Sequence, residues 1–261
     1  MNLRLCFLLL SLFVCMNGVV ASNGDIDRLF VESQTAFEQA DAIPAADKVT
    51  KTAAFRRVAA LYQRIIDQGV RSGVVYYNLG NALVQAEEPG QAVAAYLTAK
   101  RYLPLDPYVE ANLRSVVGSE ATLPTPMIEH VFFWQNWVGY PQKFYVATIL
   151  CVLTVLSGAA LLFWPQRRTR RITLILLVVA AIASLSAVYD WYRFEYLQYA
   201  VVAVDPATPR KGNSLQYEPA FTKPLPLGSL GVVIDQRGGW LLLRFDAAQE
   251  GWLPKDQVAV F

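Results

Sequence analysis

The sequence predicts a multidomain membrane protein with an all-α unit of stacked helix pairs, two transmembrane helices and a small all-β barrel. Three observations predict it. Two apolar runs, 144–164 and 172–189, are long enough to cross a hydrocarbon core of roughly 30 Å at about 1.5 Å per residue. Ahead of them, residues 73–106 read as two helical patterns with small residues where paired helices would touch. Beyond them, short β-branched and aromatic runs are broken by Gly, Pro and Asp, the pattern of a small antiparallel barrel.

Composition agrees with this division. The 261 residues are 54% hydrophobic and 17% charged, with a mean hydropathy of +0.30, more apolar than a soluble domain of this length. The formal net charge is +2, and no basic stripe alternates with aromatic residues, which argues against a nucleic-acid partner. Cys6, Cys15 and Cys151 all lie in apolar segments, and His130 is the single histidine. No spacing suited to zinc or to a disulfide framework exists, so no cofactor or metal is expected.

Residues 1–21 have the layout of a secretory signal peptide: Arg4, an apolar run from Leu5 to Met16, and small residues at Val19 and Ala21 before the expected cleavage. Between the apolar runs, the loop at 165–171 contains Arg167, Arg168, Arg170 and Arg171. Short loops rich in Arg stay cytoplasmic, so these four residues are the topology determinants. The opposite ends have only Lys143, and Asp190 with Arg193, among clustered Trp and Tyr residues suited to the headgroup layer. Both polar segments, 22–143 and 190–261, are then expected on the extracytoplasmic side.

In the first exported segment, residues 22–118, small residues at Gly80, Ala92 and Ala99 alternate with Tyr76, Leu79, Leu83 and Tyr96, and Pro104 ends the second helix. In this register the stretch resembles the tetratricopeptide repeat, a 34-residue helix-turn-helix, with Leu83 the one departure. "AFRRVAALYQRIIDQGV" resembles the second helix of a preceding repeat. Its first helix is expected near Ile26–Ala40, displaced by an insertion around "DAIPAADKVTK", and "DPYVEANLRSVVG" is expected to cap the stack. The resemblance implies a concave groove faced by Tyr77, Asn81 and Gln85, with Asn78 and Asn112 as candidates for holding extended peptide. Glu87 and Glu88 read as a solvated turn. An aromatic-rich linker, 119–143, follows.

In the last segment, 190–261, "DQRGGW" supplies a hairpin turn. Residues 198–261 resemble the bacterial SH3-like domain, with Gly239-Trp240 and Gly251-Trp252 matching the two Gly-Trp positions of that family. That family binds peptides or peptidoglycan, and Trp240 and Trp252 are the candidate surface residues. The whole order of parts resembles the BatE-like components of the bacterial aerotolerance operon.

That resemblance implies residence in the bacterial inner (cytoplasmic) membrane, beside von Willebrand factor A domain membrane proteins and a MoxR-type ATPase, in stress or oxygen tolerance. No nucleophile-base pair or phosphate loop is present, so an enzyme is not expected. Two functions follow: a scaffold whose partners are membrane proteins and the lipid bilayer, or a peptidoglycan-binding anchor that positions a cell-wall enzyme.

Overall fold

A computed structural model of the chain describes residues 23–118, 133–246 and 249–261. The expected signal peptide, His130 and the first part of the 119–143 linker lie outside those residues. Among the described residues there are seven α-helices: α1 Asn23–Asp41, α2 Lys48–Asp67, α3 Gly73–Gln85, α4 Pro89–Tyr102, α5 Pro107–Val117, α6 Tyr140–Phe163 and α7 Arg167–Glu195. One antiparallel sheet follows, with β1 Tyr199–Val202, β2 Leu230–Arg237, β3 Trp240–Asp246, β4 Gln249–Pro254 and β5 Val258–Val260.

The helices α1 to α5 pack in sequence, each against the next. Residues 48–51, expected in an insertion, instead form the first turn of α2, because the Asp47 carboxylate accepts from the Thr50 N–H at 3.2 Å and starts the helix there. The two following helix ends are built alike. At the end of α2 the Gly69 N–H reaches the Ile66 carbonyl and the Val70 N–H the Ile65 carbonyl. At the end of α3 the Glu87 and Glu88 N–H groups reach Val84 and Leu83. Both are six-to-one cap motifs whose central residue is left-handed, Gly69 at φ 89° and Glu87 at φ 60°. Pro89 then opens α4 and Pro107 opens α5, each at a position where a missing N–H costs no hydrogen bond. Close packing of α3 on α4 rests on Gly80, where a Cβ would lie 2.5 Å from the Tyr96 ring.

The sheet has the order β4-β3-β2-β1-β5 and is open. This departs from the expected closed barrel, and the physical reason is that each outer strand meets something else. The long connection 203–229 turns back across β4, where Arg210 and Trp252 exchange backbone hydrogen bonds of 2.8 Å in both directions. On the other side β5 packs on α4. Both edges are thereby shielded from pairing with other chains.

Strand β1 is buried on both faces. Val201 enters the core of the helical stack with Phe55, Tyr62, Ile65, Val93 and Leu113, while Ala200 and Val202 enter the sheet core with Leu241, Leu243 and Leu253. Alternation with period two makes this possible. Gly90 on α4 lies so close to Ala203 that a Cβ has no room. The helical stack and the sheet therefore share one wall.

Helices α6 and α7 pack against each other and present apolar side chains outward along most of their length. Both are long and apolar enough to cross a membrane, with a mean hydropathy of 2.5 over an 18-residue stretch of each. The arginines expected in a loop stand instead in the first turns of α7, which starts at Arg167, leaving only residues 164–166 as the connection. Arginine forms helix readily, and all four side chains are exposed, so water or headgroups offset their repulsion by the positive helix end.

Candidate functional site

Of the five expected groove residues, three converge. The Asn81 amide oxygen accepts from the Tyr96 hydroxyl at 2.8 Å and from the Asn112 amide at 2.8 Å, and the Asn112 amide also donates to the Tyr77 hydroxyl at 3.1 Å. The network ties α3, α4 and α5 together. Burial pushes the Tyr96 hydroxyl well above its usual pKa range, so it remains a donor throughout the physiological range. Asn78 is apart from this cluster, beside the Tyr62 hydroxyl between α2 and α3. Gln85 lies one turn beyond Asn81 and is exposed.

The acidic residues of the α3–α4 turn have partners: Glu87 pairs with Lys48, and Glu88 with Arg56 at 2.9 Å, which bridges that turn to α2. On the other side of α4, Glu110 accepts from Lys100 at 2.7 Å and from Arg114 at 2.7 Å. The Lys100 hydrogen bond is the larger cause holding its carboxyl below the usual range. Because the folded value is depressed, this contribution to stability is present at neutral pH and is lost as pH falls through that lowered value.

In the sheet, Trp252 is 8% exposed and Arg237 lies over its ring at 5.5 Å, while Trp240 is half-buried. Trp252 thus sits in the sheet's own packing, with Gly251 held against Pro209 on the crossing segment.

Two features were not identified as sites from the sequence. The first is a polar cluster where the two apolar helices meet the preceding 3-10 turn, Phe133–Asn136. Lys143 on α6 pairs with Asp190 on α7, Gln135 donates to Asp190, and the Ser186 hydroxyl donates to Gln135 at 2.8 Å. Lys143 is 7% exposed and Asp190 4%. Lys143 and Asp190 are legible in sequence as opposite charges at the same end of the two apolar runs. Farther along, Ser157 and Thr173 hydroxyls hydrogen-bond at 2.7 Å between the helices, so polar contacts fasten the hairpin at both ends.

The second feature is a cavity of about 780 Å³ where α2, α3 and α4 face the end of α7 and β5. Arg101 lines it, with its guanidinium over Phe194 at 4.7 Å, Phe261 at 4.9 Å and Tyr199 at 5.7 Å. Burial lowers the Arg101 pKa. The residue belongs to the junction of helices and sheet rather than to the amide network. Among the described residues, no three His, Cys, Asp or Glu side chains converge as metal ligands.

No family model, curated protein or solved structure matches the chain.

Two stability outcomes follow from these clusters. Asn81→Ala leaves the Tyr96 hydroxyl and the Asn112 amide without their acceptor, and should cost about 1–3 kcal/mol. Gln85→Ala, at an exposed position, should stay within about 0.5 kcal/mol. Urea unfolding followed by helical circular dichroism measures both. Lys143→Met leaves Asp190 buried and uncompensated, with an expected loss of about 3–5 kcal/mol in detergent, and adding Asp190→Leu should recover much of it.

Proposed function

We propose that the chain is a non-catalytic, membrane-anchored scaffold, with a short tetratricopeptide stack and an SH3-like domain presented on the extracytoplasmic side of a bacterial inner membrane. The observation that carries the reading is the single body formed by stack, sheet and apolar hairpin, in which Tyr77 and Asn81 of α3 and Asn112 of α5 are joined in one polar cluster. A body of that kind holds a partner at fixed height and orientation over the membrane. Tethering also makes modest affinities sufficient, since the anchored site sees a high local concentration of membrane partners.

The repeat assignment is supported by Gly80 against Tyr96, by the burial of Ala92 and Ala99, and by the matching caps of α2 and α3. The SH3-like assignment is supported by the strand order, the long first connection and the 3-10 turn Lys255–Gln257 before the last strand. The four arginines at the start of α7 support the orientation with both large segments outside. Within this reading the partners are membrane proteins of a Bat-type complex, including von Willebrand factor A domain proteins, serving stress or oxygen tolerance. The wall-anchor alternative would have the sheet hold peptidoglycan, yet Trp252 is buried, leaving Trp240 as its candidate surface ring.

A photo-crosslinking residue at Gln85, compared in whole cells with one at the exposed Val49 on α2, checks the scaffold reading. Discrete membrane proteins trapped at position 85 and missing at position 49 are expected. Failure to trap protein at 85, together with peptidoglycan fragments trapped by a probe at Trp240, would replace the scaffold with the wall anchor.

A further inference from the structure

The arrangement of α4 fixes which end of the helical stack meets the membrane. At its start, Gly90 lies against Ala203, just past the end of β1. Near its other end, Arg101 lies over Tyr199, the first residue of β1, and over Phe194, in the last turn of α7. Helix α4 therefore runs antiparallel to β1 and comes down toward the point where α7 leaves the apolar hairpin. Its last residue, Tyr102, meets the Tyr140 ring edge-on at 6.4 Å, and its carbonyl sits under Gly139, at the start of α6. Tyr140 in turn packs on Phe194 at 5.2 Å.

The neighbouring helices obey the same direction. Helix α5 returns away from the hairpin, since its last residue, Val117, contacts Gly228, whose N–H bonds to the Val202 carbonyl at 2.9 Å. Helix α3 begins at the hairpin end, with Gly73 against Leu103 and Tyr76 stacked on Tyr102 at 5.8 Å. The α2–α3 and α4–α5 turns are thus both at the level of Gly139 and Tyr140.

These turns expose side chains that an aqueous surface does not favour. Leu105 is 69% exposed and Tyr108 70%, Val74 is also open, and Arg71, which donates to the Ile66 carbonyl at 3.1 Å, is exposed in the α2–α3 turn; Trp137, just ahead of Gly139 and α6, is open as well. Aliphatic side chains, Tyr and Trp rings and an occasional Arg are the composition that partitions into the headgroup and upper acyl layer, the Arg toward phosphate. We infer that the end of the helical stack formed by Arg71, Val74, Leu105 and Tyr108 rests in the lipid headgroup layer together with Trp137 at the start of the hairpin, so that the repeat helices stand upright on the bilayer. The occupant of this surface is lipid, because the surface continues directly from the outer end of the apolar hairpin. The inference rests on the reading of α6 and α7 as membrane spans.

The test uses the full chain with its native cysteines replaced by alanine, reconstituted in vesicles of phosphatidylethanolamine and phosphatidylglycerol. Leu105→Cys and, separately, Tyr108→Cys are labelled with an environment-sensitive NBD fluorophore, with Val49→Cys as the distant exposed position and Leu156→Cys as the mid-span position. The expected result is blue-shifted emission at 105 and 108 that is quenched by lipids spin-labelled near the headgroup, water-like emission at 49, and quenching at 156 by lipids labelled deep in the chain. Water-like emission at both 105 and 108 with normal quenching at 156 overturns the inference and leaves the spans intact. Blue-shifted emission at 105 and 108 that lipid does not quench and that disappears on dilution of protein in lipid assigns the surface to a second copy and also overturns it. Absence of quenching at 156 removes the membrane reading and the inference with it.

Discussion

The two-sided burial of β1 is the constraint on which the rest of the structure depends. A four-residue strand supplies Val201 to the helical core and Ala200 and Val202 to the sheet core, because successive side chains of a strand point to opposite faces. Full burial of a valine side chain is worth roughly 1.5–3 kcal/mol, so neither core can give up β1 cheaply. The close approach needs Gly90 on α4, where any side chain would collide with Ala203. Sheet and stack consequently behave as two layers of one body.

That body inherits its orientation from the apolar hairpin. Only residues 196–198 separate α7 from β1, too short a link for the sheet to swing freely. The hairpin itself is fastened at the same end by Lys143, Asp190, Gln135 and Ser186, a cluster whose charges are paired and whose remaining polar atoms find partners. Removing one member of such a cluster strands the others in a place where water does not reach them. Arg101 completes the junction by placing its charge over three rings contributed by α7, β1 and Phe261, the residue that follows β5. Packed contacts thus run without a break from the apolar hairpin through the helical stack to the sheet.

Much of the fold was legible because its signals are local. Helical periodicity marked α3, α4 and α5, Gly80 marked the close pass of Tyr96, and the length of the apolar runs marked α6 and α7. Where the reading departed, longer-range contacts or a single cap had decided. Asp47 started α2 earlier than the hydrophobic pattern required, and Arg167 to Arg171 continued α7 instead of forming a loop. The open sheet could not be foreseen from strand lengths, since its edges are covered by Arg210 on the crossing segment and by α4. The run "YAVV" held a faint signal, because an unbroken apolar strand is one that has no solvent face. Among the candidate residues, the repeat pattern grouped Tyr77, Asn81 and Gln85, with Asn78 and Asn112 beside them, and the structure joins Tyr77, Asn81 and Asn112 of these. That the Asn81 amide would be engaged by Tyr96 and Asn112 depends on side-chain placement that spacing does not encode.

Hydrogen exchange with mass spectrometry on the intact protein in lipid nanodiscs, comparing wild type with Gly90→Val, tests the shared wall most directly. Amides of α3, α4 and β1 should all lose protection in the variant, and by a common factor, because they open as one cooperative unit. Loss confined to α4 and its helical neighbours, with β1 as protected as in wild type, would show two independent modules and contradict the shared wall.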